Sequence, residues 1–110
     1  MIIGDTTTQT LVQALRGIEA QQQAHQQNIA NVETPGYKAQ RVSFEDSLRR
    51  AVAAGRPDTA TIASTTTTDA TRVDGNNVRL DREVTSLAES ALKQQLVTEA
   101  LNAQYRLIRT

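Results

Sequence analysis

With 110 residues, 12 lysines and arginines against 12 aspartates and glutamates, and no cysteine, the chain has room for one small domain. It has no basic field to recruit nucleic acid or an anionic membrane surface, and no thiolate for catalysis, disulfides or most structural zinc sites. Hydrophobic residues make up 38% and aromatics 3%, at a mean hydropathy of −0.45, which is lean for a self-sufficient core and predicts a marginal monomer that completes its burial by association.

The opening "MIIGDTTTQT" lacks the basic and apolar regions of a cleaved secretory signal, and no run approaches the ~18 apolar residues of a membrane span. The first organised segment runs from Thr8 to Val32. Leu11, Leu15, Ile18, Gln22, His25, Ile29 and Val32 step alternately by four and three, the seam of a helix that packs along another helix. Between Ala20 and Val32 there is no charged residue, although a helix in water usually carries charge on its outer face. Glutamine and asparagine are cheaper to desolvate than ions, so this stretch suits a helix with neighbours on several sides.

In "RVSFEDSLRRAVAAG", Ser43 with Asp46 resembles a capping box, and Phe44, Leu48, Ala51 and Val52 share a face. Gly55 can end this short helix and Pro57 prevents its continuation, while "VSFED" reads equally as an extended segment. Asp58 to Asn77 is threonine-rich, with Ile62 and Val73 its only sizeable apolar residues; a loose hairpin and an unordered loop both fit. "DGNN" is a turn signal. From Asp81, a plausible N-cap, a second long helix is predicted, with Glu83 at the positive end of its dipole. Val84, Leu87, Ala91, Gln94, Thr98, Leu101, Tyr105 and Ile108 form its seam, and Leu80, Ala88, Leu92, Leu96 and Val97 widen the apolar surface beyond what one partner helix needs.

The fold class this predicts is mainly α. Long N- and C-terminal helices pair as an antiparallel coiled-coil-like hairpin, with a short irregular or β-containing middle. The expected division is 1–36 for the N-terminal helix, 37–80 for the middle and 81–110 for the C-terminal helix.

The chain offers little chemistry. His25, its one histidine, has no second ligand within a helical turn, so a packed or rim histidine is the expectation. No serine has a triad without a further histidine, Glu45–Asp46 and Asp81/Glu83 read as helix-end acids, and the glycines are too scattered for a phosphate loop. We expect no enzyme, and no catalytic, cofactor-binding or metal-binding residues.

What remains is "NIANVETPGYKA". Asn28 and Asn31 lie one turn apart, Pro35 ends the helix by about Glu33, Pro35–Gly36 suits a type II turn, and Tyr37 offers a ring and a hydroxyl. An ordinary C-terminal cap and turn explains Thr34–Pro35–Gly36 but not two asparagines where helix propensity is poor. The stretch resembles the N-terminal signature of the flagellar axial proteins, the rod and hook family, in which Asn28, Ala30, Asn31, Thr34, Gly36 and Tyr37 hold the fixed places. "YKAQRVSFEDSL" and "NNVRLDREVTSLAESALKQQLVTEALNAQYRLIRT" are similar to the short proximal-rod members. The resemblance covers roughly residues 8–55 and 74–110.

The resemblance implies a structural subunit of the bacterial flagellar basal body, in the proximal rod, whose paired terminal helices form an inner rod domain. It implies copies of itself, neighbouring rod proteins, the membrane-ring protein and the export gate or adaptor as partners. It also implies export by the flagellar type III apparatus without a cleaved signal. Leu11, Leu15, Ile18, Ile29, Val84, Leu87, Leu92, Leu101, Tyr105 and Ile108 are then the expected helix-packing and subunit-interface residues, and the Asn28–Tyr37 stretch an intersubunit joint. Another short rod protein and a cytoplasmic helical-hairpin adaptor of the export system are the alternatives.

Overall fold

The structure, a computed structural model, describes the backbone of residues 5–109 and the side chains of residues 5–107. In chain order the elements are α1 (Thr6–Ala30), β1 (Gln40–Ser43), α2 (Glu45–Ala53), a 3-10 turn (Pro57–Thr59), β2 (Ala63–Thr66) and α3 (Leu80–Arg109). The chain is mainly helical, with long N- and C-terminal helices and a two-stranded sheet between them. Its extents are 58 × 25 × 14 Å.

α1 starts earlier than the apolar pattern indicates because Asp5 caps it, its carboxylate accepting the Thr8 N–H at 2.8 Å. It ends at Ala30, with Asn31 at the C-cap, and tight turns carry the chain to Gly36. α1 and α3 lie side by side. Gln22 Nε2 donates to Gln94 Oε1 at 2.8 Å, and His25 Nδ1 meets Glu83 Oε2 at 2.6 Å. Going up α1, its partners lie further down α3.

The apolar core is small, as the composition requires: among the described residues Ile18, Ala24, Ala39, Phe44, Ala51 and Val78 are its buried hydrophobic members. Gly17 is buried because the Phe44 ring lies directly on it; a Cβ at position 17 would come within 2.3 Å of the ring's Cγ. In the middle, β1 and β2 pair antiparallel across the intervening α2, Gln40 opposite Thr66 and Ser43 opposite Ala63. β2 is exposed throughout, so pairing with β1 rather than burial orders it.

Two expected caps are replaced. Ser43 is the last residue of β1, and Phe44, without a side-chain cap bond, stands at the N-cap of α2. In place of a capping box, the Glu45 carboxylate accepts the Phe44 N–H at 3.2 Å and the Gln21 amide at 2.9 Å. Asp81 is not the N-cap of α3. The helix begins at Leu80, the Glu83 N–H already bonds the Arg79 carbonyl at 2.9 Å, and Asp81 turns its carboxylate to the Arg82 N–H at 2.8 Å.

Candidate functional site

The last turn of α1 delivers Asn28 into the angle between the helix and β1. Its side chain is fully buried, and both halves of the carboxamide are used on one residue: Nδ2 donates to the Gln40 carbonyl at 2.9 Å and Oδ1 accepts the Gln40 N–H at 2.9 Å. The Tyr37 hydroxyl donates to the same Oδ1 at 3.1 Å. Asn28 thus pairs with the inner edge of β1 as a neighbouring strand would.

Asn31 closes the helix. Its Nδ2 donates to the Gln27 carbonyl at 2.8 Å and its Oδ1 accepts the Thr34 hydroxyl at 3.0 Å. The turn that follows is of the type II kind: the Tyr37 N–H bonds the Thr34 carbonyl at 3.2 Å, and Gly36 has φ 76°.

This turn is fastened to a segment forty residues further on, around "DGNN". The Gly36 N–H donates to the Asp74 carbonyl at 2.8 Å. Asn76, also fully buried, donates through Nδ2 to the carbonyls of Asn31 and Thr34, both at 2.9 Å, and accepts the Val78 N–H at 2.7 Å. Asn77 accepts the Ala39 N–H at 2.6 Å and donates to the Thr67 hydroxyl at 2.9 Å. Arg72 reaches the Val32 carbonyl, and Lys38 the Gly75 carbonyl. Irregular backbone inside a protein must find partners for every N–H and C=O, and here three buried asparagines provide them.

Charges collect on the flank of this joint. Burial, and after it the nearby Glu83 carboxylate, pushes the Tyr37 hydroxyl above its ordinary pKa. Asp69 stands 3.9 Å from Arg41 and 3.8 Å from Arg82. The Asn76 N–H, more than the Arg72 guanidinium, holds the Asp74 carboxyl below its usual value. All the bonds of Asn28, Asn76 and Asn77 named here are spent on backbone or on side chains of the same chain. The arrangement is built to hold an angle between α1, β1 and the start of α3.

No family model matches the chain. It is similar to the flagellar basal body rod protein FlgB of Escherichia coli (strain K12), 32% identical over 72% of this chain and 72% of that protein. It is also similar to FlgB of Bacillus subtilis (strain 168), 32% identical over 94% of this chain and 91% of that protein.

The chain belongs to the FlgB family of flagellar basal body rod proteins.

A third relative, FlgB of Yersinia enterocolitica, is 28% identical over 72% of the chain. In this FlgB-family chain the structure brings Asn28, Asn31, Thr34, Gly36 and Tyr37 into one bonded unit; Ala30 and Pro35 stand exposed beside it. Of the residues expected to pack helices or meet other subunits, Ile18 is buried and Leu11, Leu15, Ile29, Leu87 and Leu101 are half-buried. Val84, Leu92 and Tyr105 are exposed, and Ile108 lies outside the described side chains. Asn76 and Asn77 escaped the sequence reading, where "DGNN" registered only as a turn; their duplication after Asp74–Gly75 was the signal available. Glu83 registered as a helix-end charge and not as the partner of His25, which is 58 positions away.

Proposed function

We propose that this chain is a structural subunit of the flagellar basal body rod, in its proximal part, with no catalytic role. The observation that carries this is the similarity to Bacillus subtilis FlgB over nearly the whole of both chains. In this reading α1 and α3 pair as an antiparallel coiled-coil-like hairpin, the inner rod domain, formed by residues 1–36 and 81–110. Residues 37–80 form an outer middle region.

The asparagine joint sets the angle at which this outer region leaves the inner helices, so that every copy presents the same shape to its neighbours. Copies of the chain, adjoining rod proteins, the membrane-ring protein and the export gate are its partners, and it reaches the periplasm-spanning rod through the flagellar type III apparatus without a cleaved signal. A helical assembly repeats heterologous contacts along an axis, which suits a helix that is apolar on more than one side. Among the described residues no helix is long and apolar enough to cross a membrane.

The test is deletion of the gene in its source strain, with complementation by a tagged copy. The expected outcome is loss of motility and of the rod, with the tagged chain recovered in purified basal bodies. A tagged chain confined to the cytosolic fraction, in cells with intact rods, would overturn the reading in favour of an export adaptor.

A further inference from the structure

Asp74 is the one aspartate that a glycine follows, and no asparagine in the chain precedes a glycine. An aspartyl–glycyl bond isomerises more readily than other aspartyl bonds, because glycine has no side chain to keep its nitrogen away from the preceding carboxyl group. In that reaction the Gly75 nitrogen attacks Asp74 Cγ and a C–N bond forms. One carboxyl oxygen departs as water, taking the carboxyl and amide protons. The five-membered imide then takes water back at one of its two carbonyls. Opening at Cγ restores aspartate; opening at the main-chain carbonyl leaves isoaspartate, with the chain running through the former side chain. One water is lost and one regained, and nothing is oxidised or reduced.

The folded chain obstructs each requirement of this reaction. The Gly75 N–H, whose proton has to leave, donates to the Arg72 carbonyl at 2.9 Å. The Asp74 carboxylate has to take up a proton before its oxygen can depart. Its ionised form is favoured instead, with Oδ1 accepting the Asn76 N–H at 3.0 Å and Oδ2 lying 3.5 Å from the Arg72 guanidinium. Nitrogen and Cγ meet only if the Asp74 Cα–C bond turns, and the peptide it carries is tied on both sides. Gly36 N–H holds the Asp74 carbonyl at 2.8 Å, and Lys38 holds the Gly75 carbonyl. Gly75 also lies so close that a Cβ on it would stand 3.3 Å from Gly36 Cα. Val73, next in the chain, is wholly exposed, so the bond is not kept dry; the lock is geometric.

We propose that Asp74–Gly75 is a site of spontaneous isomerisation in the unfolded chain, that the closed joint shuts it, and that isoaspartate at position 74 bars the joint from closing. Isoaspartate adds a carbon to the main chain and moves the carbonyl that Gly36 binds onto a branch, as a carboxylate. Asn76 is then out of register with the Asn31 and Thr34 carbonyls, both of which its Nδ2 reaches at 2.9 Å. A chain that waits unfolded therefore loses its joint through one bond, whatever it assembles into.

The test incubates the purified full-length chain at neutral pH, in native buffer and in denaturing guanidinium. Trypsin releases the peptide Val73–Arg79, and electron-transfer fragmentation distinguishes isoaspartate from aspartate at position 74. Isoaspartate should accumulate in denaturant and form at least ~10-fold more slowly in native buffer, the ratio being set by how seldom the joint opens. Asn76→Ala, which removes the bonds to Asn31 and Thr34, should raise the native rate towards the denatured one and leave the denatured rate as it was. Chains aged in denaturant and then refolded should lack slow exchange at the Gln40 and Asn77 amides. No isoaspartate in denaturant would refute the site. Equal rates in the two buffers, or an Asn76→Ala native rate like that of the parent, would refute the lock. Full amide protection in refolded isoaspartate chains would refute the block on the joint. In each case the rod reading stands.

Discussion

Asn28 meets the backbone of Gln40 with both halves of its carboxamide, and no other side chain of its length carries a donor and an acceptor together. In Asn28→Ala, the Gln40 N–H and C=O and the Tyr37 hydroxyl lose their partner, at about 1–3 kcal/mol for each group left buried and unsatisfied. Hydrogen exchange should therefore speed up at the Gln40 amide while mid-α1 amides keep their protection. Unchanged exchange at Gln40 would show that the side chain does not hold the strand. Gly36 poses a different problem. Nothing lies within 4 Å of where its Cβ would stand, so its φ of 76° is the whole constraint. Asparagine tolerates that conformation and a β-branched residue does not. Gly36→Asn should leave rod assembly and motility intact, and Gly36→Val should abolish both; equal motility in the two variants would exclude a left-handed requirement here.

At the scale of elements, the docking of α2 on α1 rests on one close approach and one acid. The Phe44 ring occupies the space a side chain at Gly17 would take, so Gly17→Ala must push α2 away, at about 1–3 kcal/mol for an overpacked core. Adding Phe44→Leu should recover part of that loss in a denaturation series, whereas strictly additive effects would mean the two residues do not meet. Glu45 is the acid. Burial pushes its pKa up, but hydrogen bonds from Gln21 and the backbone N–H groups outweigh this, and the folded value lies below the ordinary 4.5. A depressed folded pKa gives stability that is present above the unfolded value and lost as pH falls through the folded one. The attachment of α2 should accordingly weaken on acidification below about 4.5, and the Glu45→Gln variant should lose that component of the acid sensitivity. The strands show what the sequence alone conceals at this scale. "VSFED" and the threonine tract were ambiguous between helix, strand and loop because short segments of mixed polarity take the form their pairing partner imposes; β1 and β2 decide it for each other.

For the whole molecule the decisive fact is how little apolar surface the chain hides. Among the described residues its core is six buried hydrophobic side chains, three of them alanines, while Val84, Leu92 and Leu96 face outward. Burial of this size leaves long helices marginal by themselves, and a binding partner that takes up their outer faces stabilises them by mass action. We expect the isolated chain at low concentration to protect the joint amides around Gln40 and Asn77 but not the far ends of α1 and α3, with helical circular dichroism rising as subunits associate. A full, cooperative and concentration-independent helical melt would contradict this.

Periodicity determined the two long helices, and Pro35–Gly36 set an outer limit to the first, which stops sooner, at Ala30; both signals are local, since residues three, four or one position apart act on the same few backbone angles. The asparagine signature was legible as a motif, and its family was legible with it. Its partners were not. Asn76 and Asn77 reach across some forty residues to the turn after α1, and His25 finds Glu83 across the helix pair. Hydrogen bonds between such distant positions leave no spacing in a sequence, since what aligns them is the path of the intervening chain. Only the tertiary structure turns a polar helix end into a closed joint.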